Sequence, residues 1–257
     1  AQERFEDAPA MRDLKEVEGN VFGNILGMEY EKGIWVEGSF QIDGENLLKL
    51  LKIRLLEQNV SIHTKMVDIE KVGSNLYVDG NRYDKVVLAT GAWTGKLLRQ
   101  LGYENTFKTQ KGELIIYEHI PKNNWPLVIP QGEYDYLFQD DQRLVVGASH
   151  EDKPLSEDCI DPKVIEKIKK ASELQMPELI NYKVSSVKVG FRSQTEDGVP
   201  VFGEVEDGLY LASGLGSSGL TTGPYIAYRL SEMILGRVIE EDILYAPFLK
   251  NKISSGK

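Results

Sequence analysis

The stretch LYLASGLGSSGLTTGPY, Leu209 to Tyr225, sets Gly214, Gly216 and Gly219 in a Gly-x-Gly-x-x-Gly spacing. An apolar run precedes it and a helix-compatible segment follows. This is the spacing of a dinucleotide-binding turn between a strand and a helix. The chemistry it offers is that of the main chain. Glycines let a backbone approach a ligand closely, and a helix N-terminus presents unpaired N–H groups and a positive dipole end to an anion. A complete fingerprint also needs a second strand ending in Asp or Glu about 20 residues further on. Glu240 and Glu241 stand near that distance, but no strong strand leads to them and the remaining tail is short and charged. An ordinary NAD site is therefore rejected. Two readings of the glycines stay open: a seat for another part of a nucleotide-like ligand, or tight strand-to-helix packing.

A second turn follows the same logic. VVLATGAWTG, Val86 to Gly95, reads as a buried strand, a glycine-containing turn and a helix start. Thr90, Gly91 and Ala92 then lie at the carboxyl end of a strand, the edge at which open α/β sheets bind ligands. Trp93 reads as a packing residue rather than a stacking platform. The three histidines, His63, His119 and His150, are scattered without ligand spacing, so no metal site is expected. The serines of Gly216-Ser217-Ser218-Gly219 do not have the spacing of a nucleophile elbow. Cys159 lies in a polar stretch with no evident base, which argues against thiol catalysis.

The elements that must position these residues mix two patterns. The polar start, AQERFEDAPAMRDLKEVEG, reads as loop or broken helix. NVFGNILGMEY and GIWVEGSFQI read as β-rich pieces. Asp43 caps an amphipathic helix, GENLLKLLKIRLLEQN, which Asn59 ends. Three short strands follow, VSIHTKMVDIEKV, NLYVDG and YDKVVLAT, with Asp79-Gly80-Asn81 joining the last two as a hairpin. The continuous apolar run KVVLAT predicts a strand buried on both faces. From TQKGELIIYEHI to DYLFQDDQRLVVGAS the alternation is that of antiparallel sheet. Asp161 and Pro162 open a second amphipathic helix, DPKVIEKIKKASELQMPEL. YKVSSVKVGFRSQT returns to strand, GLYLAS is a strand before the glycine run, and PYIAYRLSEMILG is a helix with Gly236 at its C-cap. Residues 45–102 and 203–236 thus read as α/β layers, and 103–202 as a largely antiparallel sheet carrying a helix. The fold class is α/β (α+β mixed), with a sheet domain inserted in an α/β domain.

Composition narrows the function classes. The chain has 257 residues, 41% of them hydrophobic, and a formal net charge of −10. That acidity, without a concentrated Lys/Arg block, speaks against nucleic acid as a partner. No apolar run approaches the ~20 residues of a membrane helix, and the start carries no signal-peptide core. A single cysteine forms no internal disulfide and is compatible with a reducing compartment. A cytoplasmic protein, with peripheral attachment and homo-oligomer formation both compatible, is the expectation.

Six segments in order, VEGSFQIDGENLLKLL, VVLATGAWTGKLLRQLG, TQKGELIIYE, DYLFQDDQRLVVGAS, GFRSQTEDGVPVFG and GLYLASGLGSSGLTTGPYIAYRLSEMILG, resemble the FAD-dependent amine oxidoreductases of the glycine oxidase and D-amino-acid oxidase superfamily. They cover most of the chain from about residue 20 to 250. The resemblance implies a partial FAD-binding α/β domain, residues 45–102 with 203–250, and an inserted, largely antiparallel substrate domain, residues 17–44 with 103–202. Such proteins begin with a strand, a Gly-x-Gly-x-x-Gly turn and a helix for the ADP half of FAD, and AQERFEDAPAMRDL is not that motif. The chain is similar to the family without its N-terminal portion, so the expectation is an intact protein that oxidises a small amine or amino acid and a chain that alone binds FAD weakly or not at all. The alternative is a non-catalytic substrate-binding or assembly module whose nucleotide-binding half is absent or on another chain.

The resemblance also assigns roles. The C-terminal turn, with Gly214, Gly216, Ser217, Ser218, Gly219, Leu220 and Thr221, faces the flavin ring rather than the pyrophosphate, while Thr90 and Gly91 count as cofactor-binding from their place at a strand end. Met66 falls where relatives contact adenine through the backbone, although as a lone residue it reads as core. Arg192, in GFRSQTEDG, pairs with the substrate carboxylate, which its planar fork suits; an ion pair with Glu196 or Asp197 is the competing reading. Tyr136 matches a substrate-pocket tyrosine whose hydroxyl reaches the carboxylate, or it is a half-buried sheet residue with Tyr134 on the same face. His150 falls at a pocket-lining position but also fits an exposed loop. Ser217 is a further pocket contact, weak for a carboxylate.

Overall fold

The computed structural model describes residues 14–19, 21–38, 41–121, 124–130, 134–139, 142–237 and 253–255. In chain order the elements are β1 (Leu14–Glu18), β2 (Lys32–Val36), α1 (Gly44–Glu57), β3 (Ile69–Val72), β4 (Asn75–Val78), β5 (Asn81–Tyr83), β6 (Val86–Leu88), α2 (Thr94–Gln100), β7 (Tyr103–Asn105) and β8 (Lys108–Tyr117). There follow β9 (Asp135–Gln139), β10 (Arg143–Gly147), β11 (Glu151–Asp152), α3 (Pro162–Gln175), β12 (Val184–Gln194), β13 (Val201–Glu206), β14 (Leu209–Ser213), α4 (Gly219–Ile234) and β15 (Ile253–Ser255). The fold is mixed α/β with several antiparallel sheets. Among the described residues no helix is long and apolar enough to cross a membrane. Glu240, Glu241, Ser39, Phe40, Asp140 and Asp141, which entered the sequence reading, lie outside the described residues.

Two compact units divide the chain: residues 1–65, 114–148 and 161–187, and residues 66–113, 149–160 and 188–257. In the first, β10 pairs antiparallel with β9 and with the second half of β8. Register places Tyr136, Val146 and Ile115 in one row and Phe138, Leu144 and Tyr117 in the next. All six are buried, as alternation on a half-covered sheet requires. Helix α3 contributes Ile168 to the same core, with Val164 and Ile165 packed against it. Its N-terminus forms as expected, the Asp161 carboxylate accepting from Lys163 N at 2.8 Å. The segment Phe22 to Tyr30 is not the strand its composition suggested. It is a turn closed by an Ile25–Met28 bridge, and it drives Ile25, Leu26 and Met28 into the core. Nor is the polar start wholly irregular, because residues 14–18 form β1, paired antiparallel with β2.

Helix α1 is a separate case. Asp43 caps it by accepting from Glu45 N and Asn46 N, both at 3.0 Å, and Asn59 ends it in the left-handed region at φ 59°. Its local signals hold, yet it buries no residue. Leu48, Leu51 and Leu55 are 68%, 51% and 44% exposed, so nothing among the described residues covers the apolar stripe that the sequence encodes.

In the second unit, β13, β14 and β6 form a sheet in that order. The β13–β14 pair is antiparallel. The β14–β6 pair is parallel, with Leu209 opposite Val86 and Leu211 opposite Leu88. Parallel pairing makes the chain leave both strands at one end, towards Thr90–Gly91 from β6 and towards Gly214 from β14. Two sequence expectations need correction here. The Asp79–Gly80 turn joins β4 to the short strand β5, and β6 pairs instead with β14. Strand β6 is also not buried on both faces. It ends the three-strand order, and Val87 is 42% exposed. Leu88, Leu98, Val201, Leu209 and Leu211 form the core of this unit. Helix α4 starts at Gly219, five residues before Pro224, earlier than the sequence pattern placed it. Gly236, at φ 76°, closes it by donating to Met233 O at 3.0 Å.

Candidate functional site

The two glycine turns are joined by buried hydroxyls. Ser213, the last residue of β14, has its Oγ 2.9 Å from Thr94 Oγ1 and 2.9 Å from Ser193 Oγ. Thr94 Oγ1 in turn lies 3.1 Å from Thr90 Oγ1. Thr94, Ser193 and Ser213 are all buried, so each hydroxyl needs a partner. The chain Ser193–Ser213–Thr94–Thr90 satisfies them while fixing the ends of β12, β14 and β6 relative to one another. Gly216 N donates to Ser193 O at 3.0 Å, which ties the C-terminal turn to the residue after Arg192.

The glycines of the turn do different work. A side chain on Gly214 would meet Thr195 Cγ2 at 2.8 Å and Phe107 Cε1 at 3.4 Å. Together with its φ of 77°, internal packing alone accounts for that glycine. Gly216, at φ 55°, and Gly91, at φ 52°, require the left-handed region, yet a Cβ on either would meet nothing within 4 Å. Gly219 has no positive φ, and its nearest neighbour would be Leu215 Cβ at 4.0 Å. The first turn of α4 is therefore open over Gly216 and Gly219. Ser218 turns its hydroxyl back onto Leu215 O at 2.7 Å, and Thr221 N and Thr222 N both donate to Ser218 O. The amides of Ser217, Gly219 and Leu220 have no backbone acceptor among the described residues, as is usual at the start of a helix.

Arg192 lies near the end of β12 and is half-buried, which pulls its guanidinium below the ordinary arginine value. Nη1 donates to Ser149 O at 3.2 Å. Neither proposed acidic partner reaches it: Glu196 pairs with Lys108 at 3.5 Å, and Asp197 accepts from Thr195 Oγ1 and Val199 N, both at 3.0 Å. The guanidinium forms no ion pair with a described residue. Ser149 is itself fixed by β8, donating N–H to Glu113 O at 2.9 Å and accepting from Glu113 N at its Oγ at 3.0 Å. On either side of Gly112, Lys111 and Glu113 form a buried ion pair at 2.9 Å, 5% and 0% exposed. Lys111 also donates to Cys159 O at 2.6 Å.

The other candidates fall in contrasting settings. Tyr136 belongs to the first unit, with its ring 2% exposed. It is buried rather than half-buried, and its hydroxyl hydrogen-bonds no described residue. Burial, then the neighbouring Tyr117 and Tyr134, push its pKa up to about 12. Tyr134 is buried too. His150 follows Ser149 and is exposed, as is Ser217. Met66 is 90% exposed and is not a core residue; Trp93, 56% exposed, is not a packed one. Met66 lies in an irregular segment and Trp93 ends a single 3-10 turn, Gly91–Trp93, and in both places the side chain is left outside where composition suggested an interior. Sequence reasoning missed Thr94, Ser193 and Ser213, which are common residues with no spacing signature, and it missed the Lys111–Glu113 pair. Alternation could have found the pair, since both residues occupy one face of a strand whose continuation is apolar.

The family described as FAD dependent oxidoreductase matches residues 4–233. An uncharacterized oxidoreductase of Bacillus subtilis is 28% identical over 256 residues, 95% of this chain and 68% of the relative. Glycine oxidase of Pseudomonas aeruginosa is 27% identical over 233 residues, 86% of this chain and 64% of the relative. Among solved structures, iminodiacetate oxidase from Chelativorans sp. BNC1 superposes with a TM-score of 0.85 at 25% identity, covering 93% of this chain and 68% of that one. Glycine oxidase from Geobacillus kaustophilus has the same fold, with a TM-score of 0.77 at 19% identity, 89% of this chain and 65% of that one. The chain thus spans about two thirds of the length of these relatives. By the match over nearly its whole length, the chain belongs to the FAD dependent oxidoreductase family.

Proposed function

We propose that the enzyme carrying this chain oxidises a small amine or amino acid, with FAD as the electron acceptor. Relatives that are a glycine oxidase and an iminodiacetate oxidase support that substrate class. One observation carries the reading. Arg192 is half-buried, has no acidic partner among the described residues, and is strapped through Ser193 O to the open glycine turn. A cation desolvated without a counter-ion is costly, and a ligand carboxylate offsets that cost.

The residues present fit a flavin at the head of α4. Gly216 and Gly219 leave the approach open, and the amides of Ser217, Gly219 and Leu220 with the positive end of α4 stabilise negative charge placed there. Ser218 and Thr221 hold the turn, Gly214 packs it from behind, and Thr90 and Gly91 line the neighbouring strand end. Met66 serves the adenine through its backbone. When bound, FAD would supply a two-electron acceptor for the hydride that leaves the amine-bearing carbon, and the resulting imine would hydrolyse to a carbonyl compound with release of ammonia from a primary amine or of the smaller amine from a secondary one. Arg192 pairs bidentately with the substrate carboxylate and so aims that carbon. Tyr136, whose hydroxyl has no partner among the described residues, is a further candidate for a substrate contact by the family resemblance, as are His150 and Ser217. Residues 45–102 and 203–250 serve the cofactor, and 17–44 and 103–202 the substrate.

The test is anaerobic mixing of the flavin-loaded enzyme with a panel of glycine, N-methylglycine, iminodiacetate and methylamine. Bleaching of the flavin absorbance by amino acids is expected, with release of a 2-oxo acid and, after reoxidation, of ammonia from glycine, methylamine from N-methylglycine or glycine from iminodiacetate. A flavin that no amine on the panel bleaches returns the protein to the reading of a non-catalytic binding module.

A further inference from the structure

Gly112 lies within β8 between two buried, ion-paired neighbours, Lys111 and Glu113. Glycine in a strand interior weakens the strand and marks places where another group comes close to the backbone. The group here is Arg192. A Cβ built on Gly112 would stand 2.7 Å from Nη1, 3.0 Å from Cζ and 3.0 Å from Nη2. The whole guanidinium head thus rests against the main chain of β8, in space that any side chain would take. Gly112 has no positive φ, so the absence of a side chain, and not a special backbone conformation, is what the position requires.

Two contacts then orient the head. Gly112 supports it from beneath, and Ser149 O accepts from Nη1 at 3.2 Å. Both supports belong to one rigid frame, because Ser149 is hydrogen-bonded in both directions to Glu113 and the Lys111–Glu113 pair is locked inside. The other guanidinium N–H groups meet no acceptor among the described residues. We propose that Gly112 is a positioning residue for carboxylate recognition: by carrying no side chain it seats the Arg192 guanidinium in the one orientation that presents its unused donors to the carboxylate of a small amino acid. The inference rests on the reading of Arg192 as the carboxylate anchor and adds what fixes the anchor's aim. Bidentate pairing is sensitive to orientation, so a displaced head loses carboxylate recognition while remaining charged.

The strand frame is fixed and the arginine head is the far end of a flexible side chain. Gly112→Ala therefore moves the head and leaves the fold intact. In the flavin-loaded enzyme, KM for glycine is expected to rise at least 10-fold with kcat changing less than about threefold, and kcat/KM for methylamine, which lacks the carboxylate, to fall far less. The Kd of acetate, read from its perturbation of the flavin spectrum, should weaken by the same factor as KM. In an Arg192→Lys background, where no planar head needs the space, Gly112→Ala should change acetate affinity less than twofold. An unchanged glycine KM, an equal loss on glycine and methylamine, a full effect retained in the lysine background, or loss of the folded state in both backgrounds would each overturn the role of Gly112. Failure of the underlying reading is separate: Arg192→Ala would then affect glycine and methylamine alike, whatever Gly112→Ala does.

Discussion

Lys111 and Arg192 are both cations withdrawn from water in the same unit, close to Gly112, and they are partnered in opposite ways. Lys111 faces Glu113 at 2.9 Å and Cys159 O at 2.6 Å. Arg192 has one neutral carbonyl, Ser149 O, and no described acid. A charge matched inside the protein belongs to the fold, because its counter-ion is already in place. A half-buried charge with donors to spare is left unmatched by the fold, and the proposed pairing of Arg192 with a carboxylate rests on that. The first unit repeats the contrast with neutral groups. The buried Tyr117 hydroxyl lies 2.9 Å from Ser172 Oγ, whereas the equally buried Tyr136 leaves its hydroxyl without a described partner.

The largest effect expected from this contrast is on Lys111. Lys111→Met strands Glu113 in the interior and should cost about 3–5 kcal/mol of stability, whereas Lys111→Met with Glu113→Leu should recover most of it. Urea unfolding of both variants measures this, and a double variant as unstable as the single one would mean that the pair does more than neutralise itself. Next comes Arg192→Ala, expected to raise KM for amino acids about 100-fold, or ~2.7 kcal/mol, with little change for methylamine. Since Arg192 makes no described ion pair, its removal should shift the urea midpoint far less than removal of Lys111. A midpoint loss matching that of Lys111→Met would erase the distinction.

The tyrosines give the smallest effects. Tyr117→Phe loses one internal hydrogen bond and should cost about 1 kcal/mol, while Tyr136→Phe should be close to neutral in stability at pH 7. At high pH the order changes. An unfolded tyrosine ionises near 10, whereas burial holds Tyr136 protonated up to about 12. The folded state then binds more protons than the unfolded one, so the stability contributed by Tyr136 is complete below pH 10 and is lost as pH rises towards 12. Unfolding curves between pH 9 and 11.5 should fall less steeply for Tyr136→Phe than for the wild type. Parallel curves would show that the hydroxyl titrates as though exposed.

Much of the local structure was legible in the sequence. Asp43 and Asp161 cap their helices as read, Asn59 and Gly236 end theirs, and the strand before each glycine turn is where the apolar runs put it. The errors arise where pairing over distance decides. β6 left its expected hairpin to pair with β14, more than 100 residues away in sequence, and the β-rich stretch before Tyr30 became a turn because the core accepted Ile25 and Leu26. Helices α1 and α3 make the same point. Both have 14 residues and an aspartate cap, but α3 buries Ile168 while α1 buries nothing. An apolar stripe shows that a face exists and leaves open what covers it. At the candidate site the glycine turn and Arg192 could be read from motif and resemblance. The seat at Gly112 and the hydroxyl chain through Ser213 could not, since a glycine and three small hydroxyl residues carry no spacing signal.

The sequence by itself determined the caps, the turns, the order of the strands' apolar runs and the motifs of the family. These depend on residues within a turn or so of one another. The Lys111–Glu113 match lies two residues apart on one strand, whereas tertiary structure alone decided that the Arg192 head has no matching charge among the described residues. Arg192 meets Ser149 across 43 residues of chain, and Lys111 meets Cys159 across 48. Electrostatic satisfaction depends on distance in space, which composition and periodicity do not encode.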